Sequence, residues 1–208
     1  SDTACLPAKV VHGHIQWLLD QHVEKIFYPC MTYNVDEQIS DNHFNCPLVA
    51  YYPEQIDANM DMEGTDFLHP YIVLDDMKNF EKRISEVFAA HDMPHDRRII
   101  RKAAEAGMRE YRAFHARLHE EHERAVAYAR AHHHPIAVVC GRPYHGDPFI
   151  SHEITKLLTQ LGFVVVSEES VPLQEKRAVG VLNQWTYHAR LYQAAYYAAA
   201  QPDMELIH

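Results

Sequence analysis

The sequence predicts an α/β fold in two lobes with parallel sheets, connected by a long helix. Short apolar runs ended by proline or glycine alternate with helical periodicity near both ends of the chain. Between them, residues 97–131 keep one apolar stripe at helical spacing without a break. We therefore expect Rossmann-like or flavodoxin-like lobes over residues 1–95 and 135–208, with residues 96–134 as the connection.

The first predicted element is a helix over residues 5–22. Pro7 suits its first turn, because an N–H at that point has no partner within the helix. Apolar side chains recur at helical spacing and predict one apolar face. This face consists of Leu6, Val10, His14, Trp17 and Leu18.

The remaining elements are assigned from the same two patterns. Continuous apolar runs are typical of buried parallel strands, and Gly, Pro and Asn mark the loops between them. The last strand begins at the end of the chain, so we expect the second lobe to continue beyond it. In order, we predict a strand over 23–28, a polar loop over 30–45, strands over 47–52 and 71–74, helices over 77–90 and 97–131, a strand over 136–140, a loop over 141–148, a helix over 149–161, a strand over 163–167, a helix over 182–200 and a strand from 205.

The composition excludes several classes of function. The 208 residues carry a net charge of −10, which argues against a nucleic-acid partner. No apolar run approaches the ~20 residues of a membrane span, and no secretory signal precedes the first motif. Four cysteines in a chain of this size do not make a disulfide scaffold. We expect a cytoplasmic protein and, since the chain begins directly on a motif, a piece of a longer one.

Three of the four cysteines lie at the ends of predicted elements. Cys5 opens the first helix, Cys30 follows the first strand, and Cys46 ends the polar loop. Thiolates at element ends can converge on one point, as a metal ion or an iron–sulfur cluster requires. Their spacing matches no short zinc or ferredoxin pattern, so three buried structural thiols are the alternative. Cys140, inside an apolar run, is expected to be a small buried side chain.

Four longer motifs carry a resemblance to a known family. They are SDTACLPAKVVHGH at residues 1–14, IFYPCMTYN at 26–34, DNHFNCP at 41–47 and GRPYH at 141–145. In this order they resemble the domain associated with activases of 2-hydroxyacyl-CoA dehydratases. That domain is related to the 2-hydroxyglutaryl-CoA dehydratase and benzoyl-CoA reductase subunits.

The resemblance implies a [4Fe–4S] cluster, which is readily lost in air, on Cys5, Cys30 and Cys46. It implies a module of an acyl-CoA dehydratase or reductase system that takes part in ATP-driven one-electron transfer to a CoA thioester. An ATP-dependent activase domain or subunit and acyl-CoA would be its partners, and it would not turn over alone. A fourth ligand would be exogenous, a histidine, or outside the chain. The alternative is a non-catalytic docking domain whose cysteines are idle or bind zinc.

A second candidate site lies in the loop after the strand at residues 136–140. Open α/β folds bind ligands at the carboxyl edge of their sheets, so Arg142, Tyr144 and His145 are candidate ligand-binding residues. Arg142 suits a phosphate or carboxylate, such as the anionic tail of coenzyme A, and a structural salt bridge is the alternative. We expect this loop to line the crevice between the lobes and to face the cysteines.

His12 and His14 are further candidates for ligand binding. They flank Gly13, and side chains two residues apart on a helix do not share a face. They therefore make a poor chelating pair, and packing is the alternative role for each.

Overall fold

Helices and short parallel strands alternate along residues 5–208, which the computed structural model describes. This confirms the predicted α/β class. The chain divides into two units. The first comprises the residues up to Asp36 together with His43–Ala106, and the second comprises Glu37–Asn42 together with Gly107–His208.

The first unit pairs two short parallel strands with helices whose apolar faces form its core. Lys25 lies opposite Asp66 in this pair, and Phe27 lies opposite Leu68. Two apolar clusters fill the unit, one around Ile15 and Ile56, the other around Ile72, Ile84 and Ile100. Its elements are α1 (Leu6–Asp20), β1 (Lys25–Phe27), α2 (Pro47–Asn59), β2 (Asp66–Leu68), α3 (Met77–Ala90) and the first turns of α4 (Arg97–Ala131).

Two strand predictions in this unit are wrong. The apolar stretch at residues 47–52 belongs to helix α2, in which Pro47 occupies the first turn and Pro53 lies inside the helix. Because proline rarely lies inside a helix, Pro53 suggested the end of a strand. The second strand is β2, several residues before the predicted 71–74, where only Tyr71 forms a bridge.

Helix α1 forms as predicted but buries the opposite face. Ala8, Ile15 and Leu19 are buried, whereas Val10 and Trp17 are 41% and 61% exposed. The helix carries two apolar stripes at helical spacing. The one that packs includes the small Ala8, which permits the close approach of a neighbouring helix.

The second unit is built on a three-stranded parallel sheet in the order β4-β3-β5. The central strand is the most buried, since Ile136, Ala137 and Val138 have no exposed surface. Val126 and Ala129 of α4 pack on this core. The elements are the remainder of α4, β3 (Ile136–Val139), a 3₁₀ turn (Pro143–Gly146), α5 (Ile154–Gln160), β4 (Val164–Ser167), a 3₁₀ turn (Glu168–Ser170), α6 (Thr186–Ala199) and β5 (Met204–Ile207).

Helix α5 is shorter than the predicted 149–161. The Asp147 side chain accepts hydrogen bonds from the backbone N–H groups of Phe149 and Ile150, which makes a turn. Glu153 is left-handed, with φ of 58°, so a regular helix begins only after it. The helix ends at Gln160, and its C-cap residue is Leu161 rather than the predicted Gly162, which follows with a φ of +92° that suits glycine.

The segment Glu37–Asn42 contacts α6 and the residues before it. Arg190 is buried and forms a bidentate ion pair with Glu37, with Nε 2.9 Å from Oε2. Ile39 is buried, and its carbonyl accepts a hydrogen bond from Asn183 Nδ2 at 3.3 Å. These contacts explain why this polar stretch belongs to the second unit.

Candidate functional site

Cys30 lies where the two strands of the first unit end. The parallel hydrogen bonds continue past β1, since the Cys30 N–H donates to the Pro70 carbonyl at 2.9 Å. The Cys30 carbonyl in turn accepts from the Ile72 N–H at 3.0 Å. Both backbone groups of Cys30 are therefore paired, and its side chain is fully buried.

The segment after Cys30 pairs with the segment before Cys46. The Asn34 N–H donates to the His43 carbonyl at 2.9 Å, and the Asn45 N–H donates to Thr32 at 2.8 Å. The buried Asn45 side chain adds a bond from Nδ2 to the Met31 carbonyl at 2.9 Å. Two cysteine-bearing segments that are distant in sequence are thus held side by side.

Cys46 is the N-cap residue of α2. Its carbonyl accepts hydrogen bonds from the N–H groups of Val49 and Ala50, both at 3.0 Å. The Val49 carbonyl accepts from the Met31 N–H at 3.2 Å. One turn of helix therefore links Cys46 to the residue that follows Cys30.

Cys5 occupies the same position on α1 that Cys46 occupies on α2. Its carbonyl accepts from the Ala8 N–H at 3.0 Å, and neither thiol hydrogen-bonds to its own helix as a cap. The two helices pack together, with the Tyr52 hydroxyl donating to the Ala8 carbonyl at 3.1 Å. Cys5 is exposed, whereas Cys46 is half-buried.

The thiols of Cys30 and Cys46 both influence the pKa of the neighbouring Tyr28 hydroxyl. Burial raises the pKa of Tyr28, and the charges of Cys30, Tyr52 and Cys46 raise it further. Both sulfur atoms therefore lie within electrostatic range of the Tyr28 hydroxyl.

Glu54 has two opposing effects on Cys30. Burial raises the pKa of the Cys30 thiol, and the Glu54 carboxylate raises it further, whereas a hydrogen bond from the Glu54 backbone N–H lowers it. The same carboxylate accepts a hydrogen bond from Tyr71, whose pKa rises to about 12. Because burial and the Glu54 carboxylate raise its pKa, Cys30 is protonated in this environment.

His12 and His14 lie on α1 in different surroundings. The half-buried His12 hydrogen-bonds through Nδ1 to the Ala8 carbonyl at 2.7 Å, and its ring meets the Tyr52 ring edge-on at 5.5 Å. His12 thus takes part in the packing of α1 on α2. His14 is exposed.

The candidate loop in the second unit is folded by its own contacts. The Arg142 N–H donates to His145 Nδ1 at 3.0 Å, and the Tyr144 ring packs edge-on against His145 at 4.4 Å. A Cβ atom on Gly141 would lie 2.5 Å from His145 Nδ1, so a larger residue there would displace the His145 ring. The loop therefore presents Arg142 from a fixed backbone.

The Arg142 guanidinium meets a histidine of α6. Arg142 Nη2 lies 3.3 Å from His188 Nε2. Burial lowers the pKa of His188, and the charge of Arg142 lowers it further, so His188 is neutral and its Nε2 accepts. Within residues 5–208, Arg142 forms no ion pair with a carboxylate, so its charge stays available to an anion.

Cys140 lies at the same sheet edge and is buried, as predicted. Burial and the nearby Glu168 raise the pKa of Cys140 to about 12. This thiol is therefore protonated over the physiological range.

A comparison with known families decides the family of this chain. The family model described as CoA enzyme activase uncharacterised domain matches residues 1–171. The chain belongs to this family. No curated protein and no solved structure matches the chain. The match confirms the resemblance seen in the four motifs of this activase-family domain and connects it with CoA-dependent enzymes.

The activase-family domain brings the segments of two predicted ligands together but does not form a closed ligand set. Within residues 5–208, no three His, Cys, Asp or Glu side chains cluster closely enough to hold a metal ion. The donors suit an iron–sulfur cluster in kind, because thiolates are its usual ligands. The set of Cys5, Cys30 and Cys46 stays a prediction, as does the placement of the 141–148 loop opposite it.

Two residues of this site were not foreseen from the sequence of the activase-family domain. Asn45 holds the two cysteine segments together, and its position in the Asn-Cys-Pro motif was the available signal. Pro53 shapes α2 beside Cys30, and its place in an apolar stretch pointed to a strand instead.

None of the helices in residues 5–208 combines the length and the apolar character that a membrane span requires.

Proposed function

We propose that this activase-family domain binds an iron–sulfur cluster in its first unit and takes part in ATP-driven one-electron transfer to a CoA thioester. Its partner would be an ATP-dependent activase domain or subunit. One observation carries this proposal: the hydrogen bonds of Asn45 and Val49 hold the segments of Cys30 and Cys46 side by side. The free state of all four cysteines suits the reducing cytoplasm, where we place the protein.

The residues around the thiols would have defined tasks. Cys30 and Cys46 would be ligands from the paired segments, and Cys5 would be the third, from an exposed helix N-terminus. When bound, the cluster supplies one-electron redox chemistry. The Glu54 N–H donates toward the Cys30 sulfur, and hydrogen bonds to sulfur help to set the reduction potential of such clusters.

Anaerobic reconstitution tests this function. The chain is incubated with iron and sulfide, and bound iron, acid-labile sulfide and visible absorbance are measured per chain. Replacing Cys5, Cys30 or Cys46 with Ser should lower all three values, whereas Cys140→Ser, the matched control in the second unit, should not. Equal iron content in the wild type and in Cys30→Ser would contradict the proposal.

The second candidate is a docking domain whose cysteines are idle or bind zinc. Its support is the environment of Cys30, which is fully buried and whose pKa burial raises. Metal analysis of the anaerobically purified chain, for zinc as well as iron, separates the two functions. Stoichiometric zinc, or no bound metal under anaerobic conditions, would favour this candidate.

We further propose that Arg142, with Tyr144 and His145, receives the anionic tail of the acyl-CoA. The support is a guanidinium that faces a neutral histidine and lies at the carboxyl edge of β3. We propose that His12 has a packing role and that the exposed His14 contacts a ligand. We propose two Rossmann-like or flavodoxin-like lobes joined by α4 as the wider architecture.

A further inference from the structure

The chain between Cys30 and Cys46 forms a hairpin-like loop with a short stem. Tyr33 forms an antiparallel bridge with Phe44, and the two rings stack with their centroids 4.8 Å apart. This bridge closes a loop over residues 35–42, so that both cysteines lie at the base of one stem. The stem consists of residues 31–34, which follow Cys30, and residues 43–45, which precede Cys46.

The stem is too short to be stable by itself. Its backbone hydrogen bonds run from the Asn34 N–H to the His43 carbonyl and from the Asn45 N–H to the Thr32 carbonyl. A pair of strands of this size is marginally stable in water, and closing a flexible loop across it costs conformational entropy. The pairing of the stem therefore gains from any contact that orders the loop.

The tip of this loop, Glu37–Asn42, belongs to the second unit and is anchored there at its first residue. The Glu37 carboxylate forms the bidentate ion pair with Arg190 of α6, and the side chains of Arg190 and Glu37 are only 9% and 13% exposed. The Arg190 guanidinium also lies over the Tyr187 ring, 5.5 Å from its centroid. Since a buried charge without its partner is costly, the guanidinium keeps the Glu37 carboxylate in place.

The other end of the tip is anchored by the chain before α6. The Asp41 N–H donates to the Asn183 carbonyl at 2.6 Å, and Lys176 Nζ lies 2.5 Å from Asp41 Oδ1. Between the two ends, Ile39 is 3% exposed. The tip is therefore ordered by contacts within the second unit, whereas the stem that it joins carries the two thiols at its base.

We propose that Arg190 is a positioning residue for Cys30 and Cys46. By anchoring the tip, it keeps the two sides of the stem paired and thereby fixes the two thiols relative to each other. The use of these thiols as cluster ligands rests on the function proposed above, but the effect of Arg190 on their segments requires no cluster.

Arg190→Gln tests this role in the full, metal-free chain. The variant leaves the buried Glu37 carboxylate without its partner, so the tip should move into water. In hydrogen exchange followed by NMR, the Asn34 and Asn45 amides of the stem should exchange about tenfold faster or more. Alkylation followed by mass spectrometry should show the half-buried Cys46 reacting faster by a similar factor.

Two further variants distinguish positioning from a general loss of stability. Glu37→Leu combined with Arg190→Met replaces the ion pair by apolar side chains that can stay buried, a change that is often neutral for stability. This double variant should return stem exchange and Cys46 reactivity toward the wild-type values. Arg130→Gln is the matched control, because Arg130 forms a bidentate pair with Asp203, at 2.8 and 3.3 Å, elsewhere in the second unit.

The control should leave the stem as it is in the wild type. If Arg190→Gln unfolds the chain, Glu37→Gln makes the same test from the other side of the ion pair, with thermal melting as the check on folding. Unchanged stem exchange in a folded variant of this pair would overturn the proposal, as would equal acceleration in Arg130→Gln.

Anaerobic reconstitution separates this inference from the proposed function. Where the wild type binds a cluster, Arg190→Gln should bind less iron per chain than Arg130→Gln, because its ligand segments are no longer held together. A wild type that takes up no iron would remove the proposed function, whereas faster stem exchange in Arg190→Gln would still support the positioning role. Iron in the wild type with unchanged stem exchange in Arg190→Gln would overturn the positioning role alone.

Discussion

The Met31 N–H donates to the Val49 carbonyl at 3.2 Å, in the place of a helical hydrogen bond. Pro53 lies four residues after Val49 in α2 and has no N–H, so the Val49 carbonyl lacks its partner within the helix. Met31 supplies that partner. The proline thus ties the residue after Cys30 to the helix that begins at Cys46.

Replacement of Pro53 tests this tie. Pro53→Ala provides an N–H that competes with Met31 for the Val49 carbonyl and also favours a regular helix. The Met31 amide should then exchange with solvent about tenfold faster or more, because its hydrogen bond is lost. The Cys30 thiol should react faster with a thiol reagent. Hydrogen exchange followed by NMR measures the first effect.

Pro7 provides the control for this substitution. It lies in the first turn of α1, where no helical carbonyl lacks a partner on its account. Pro7→Ala should leave Met31 exchange as it is in the wild type. Equal protection of the Met31 amide in Pro53→Ala and the wild type would show that the proline does not create the tie.

The Asn45 side chain should stabilise the first unit measurably. It is 4% exposed, donates to the Met31 carbonyl and accepts from Asn34 Nδ2 at 3.2 Å. Asn45→Ala leaves the half-buried Met31 carbonyl without this donor, so the free energy of unfolding in urea should fall by about 1–3 kcal/mol. The control is Asn59→Ala, because Asn59 is exposed and bonds only to Gln55 of its own helix, and its change should stay within about 0.5 kcal/mol. Similar losses in both variants would count against a bracing role for Asn45.

Patterns with a single interpretation were predicted correctly, whereas the strands predicted at residues 47–52 and 71–74 were not. The apolar stripe of α4 has the helical period, which predicts only a helix. The continuous apolar run of β3 predicts a buried strand. The apolar residues 47–52 fit either a strand or a helix. Tertiary contacts, among them the Met31 hydrogen bond and the packing of Tyr52 and Ile56, favour the helix in spite of Pro53.

The candidate site shows the same division. The placement of cysteines at element ends follows from local signals such as Pro7 and Pro47. The pairing of their segments depends on Asn45 reaching Met31, fourteen residues away, and the Asn-Cys-Pro motif marks Asn45 without identifying Met31 as its partner. A single sequence therefore indicates the candidate ligands but not the residues that hold their segments together.

Arg142→Ala should weaken the binding of acyl-CoA to the folded chain. The substitution removes a cation that no carboxylate within residues 5–208 neutralises, and a loss of about tenfold in affinity is expected for one charge-assisted contact. It also removes the charge that lowers the pKa of His188, so that pKa should rise in an NMR titration.

The matched control for this prediction is Arg124→Ala. Arg124 is exposed and paired with Glu121 on α4, so its loss should leave both acyl-CoA affinity and thermal stability unchanged. If Arg142→Ala binds acyl-CoA as tightly as the wild type, or if its melting temperature collapses, Arg142 is a structural tie.

His122 is held neutral by a directed chain of hydrogen bonds in the second unit. The Tyr197 hydroxyl donates to His122 Nε2 at 2.9 Å, and His122 Nδ1 donates to Ser170 Oγ at 3.0 Å. Ser170 Oγ is committed as the acceptor, because its own hydroxyl donates to the Ser167 carbonyl at 2.7 Å. Burial lowers the pKa of His122, and the neighbouring His119 lowers it further.

The stability of the chain should therefore fall as the solution is acidified. Because the pKa of His122 in the folded state lies below the usual 6.5, the unfolded chain binds more protons below that pH. The stabilisation is complete above about pH 6.5 and is lost as the pH falls toward the folded pKa. His115 and His188, whose pKa values burial also lowers, act in the same direction. Urea unfolding between about pH 7 and about pH 5 measures this slope.

His122→Gln should make this pH dependence shallower, by at most about one proton per molecule. Glutamine keeps a donor and an acceptor but cannot be protonated, so the variant loses the contribution of His122 while His115 and His188 keep theirs. The same change at the exposed His14 is the control and should leave the slope unaltered. An unchanged slope in a folded His122→Gln variant would show that His122 is not the group that acid attacks. A slope that falls equally in both variants would point to the general charge of the chain instead.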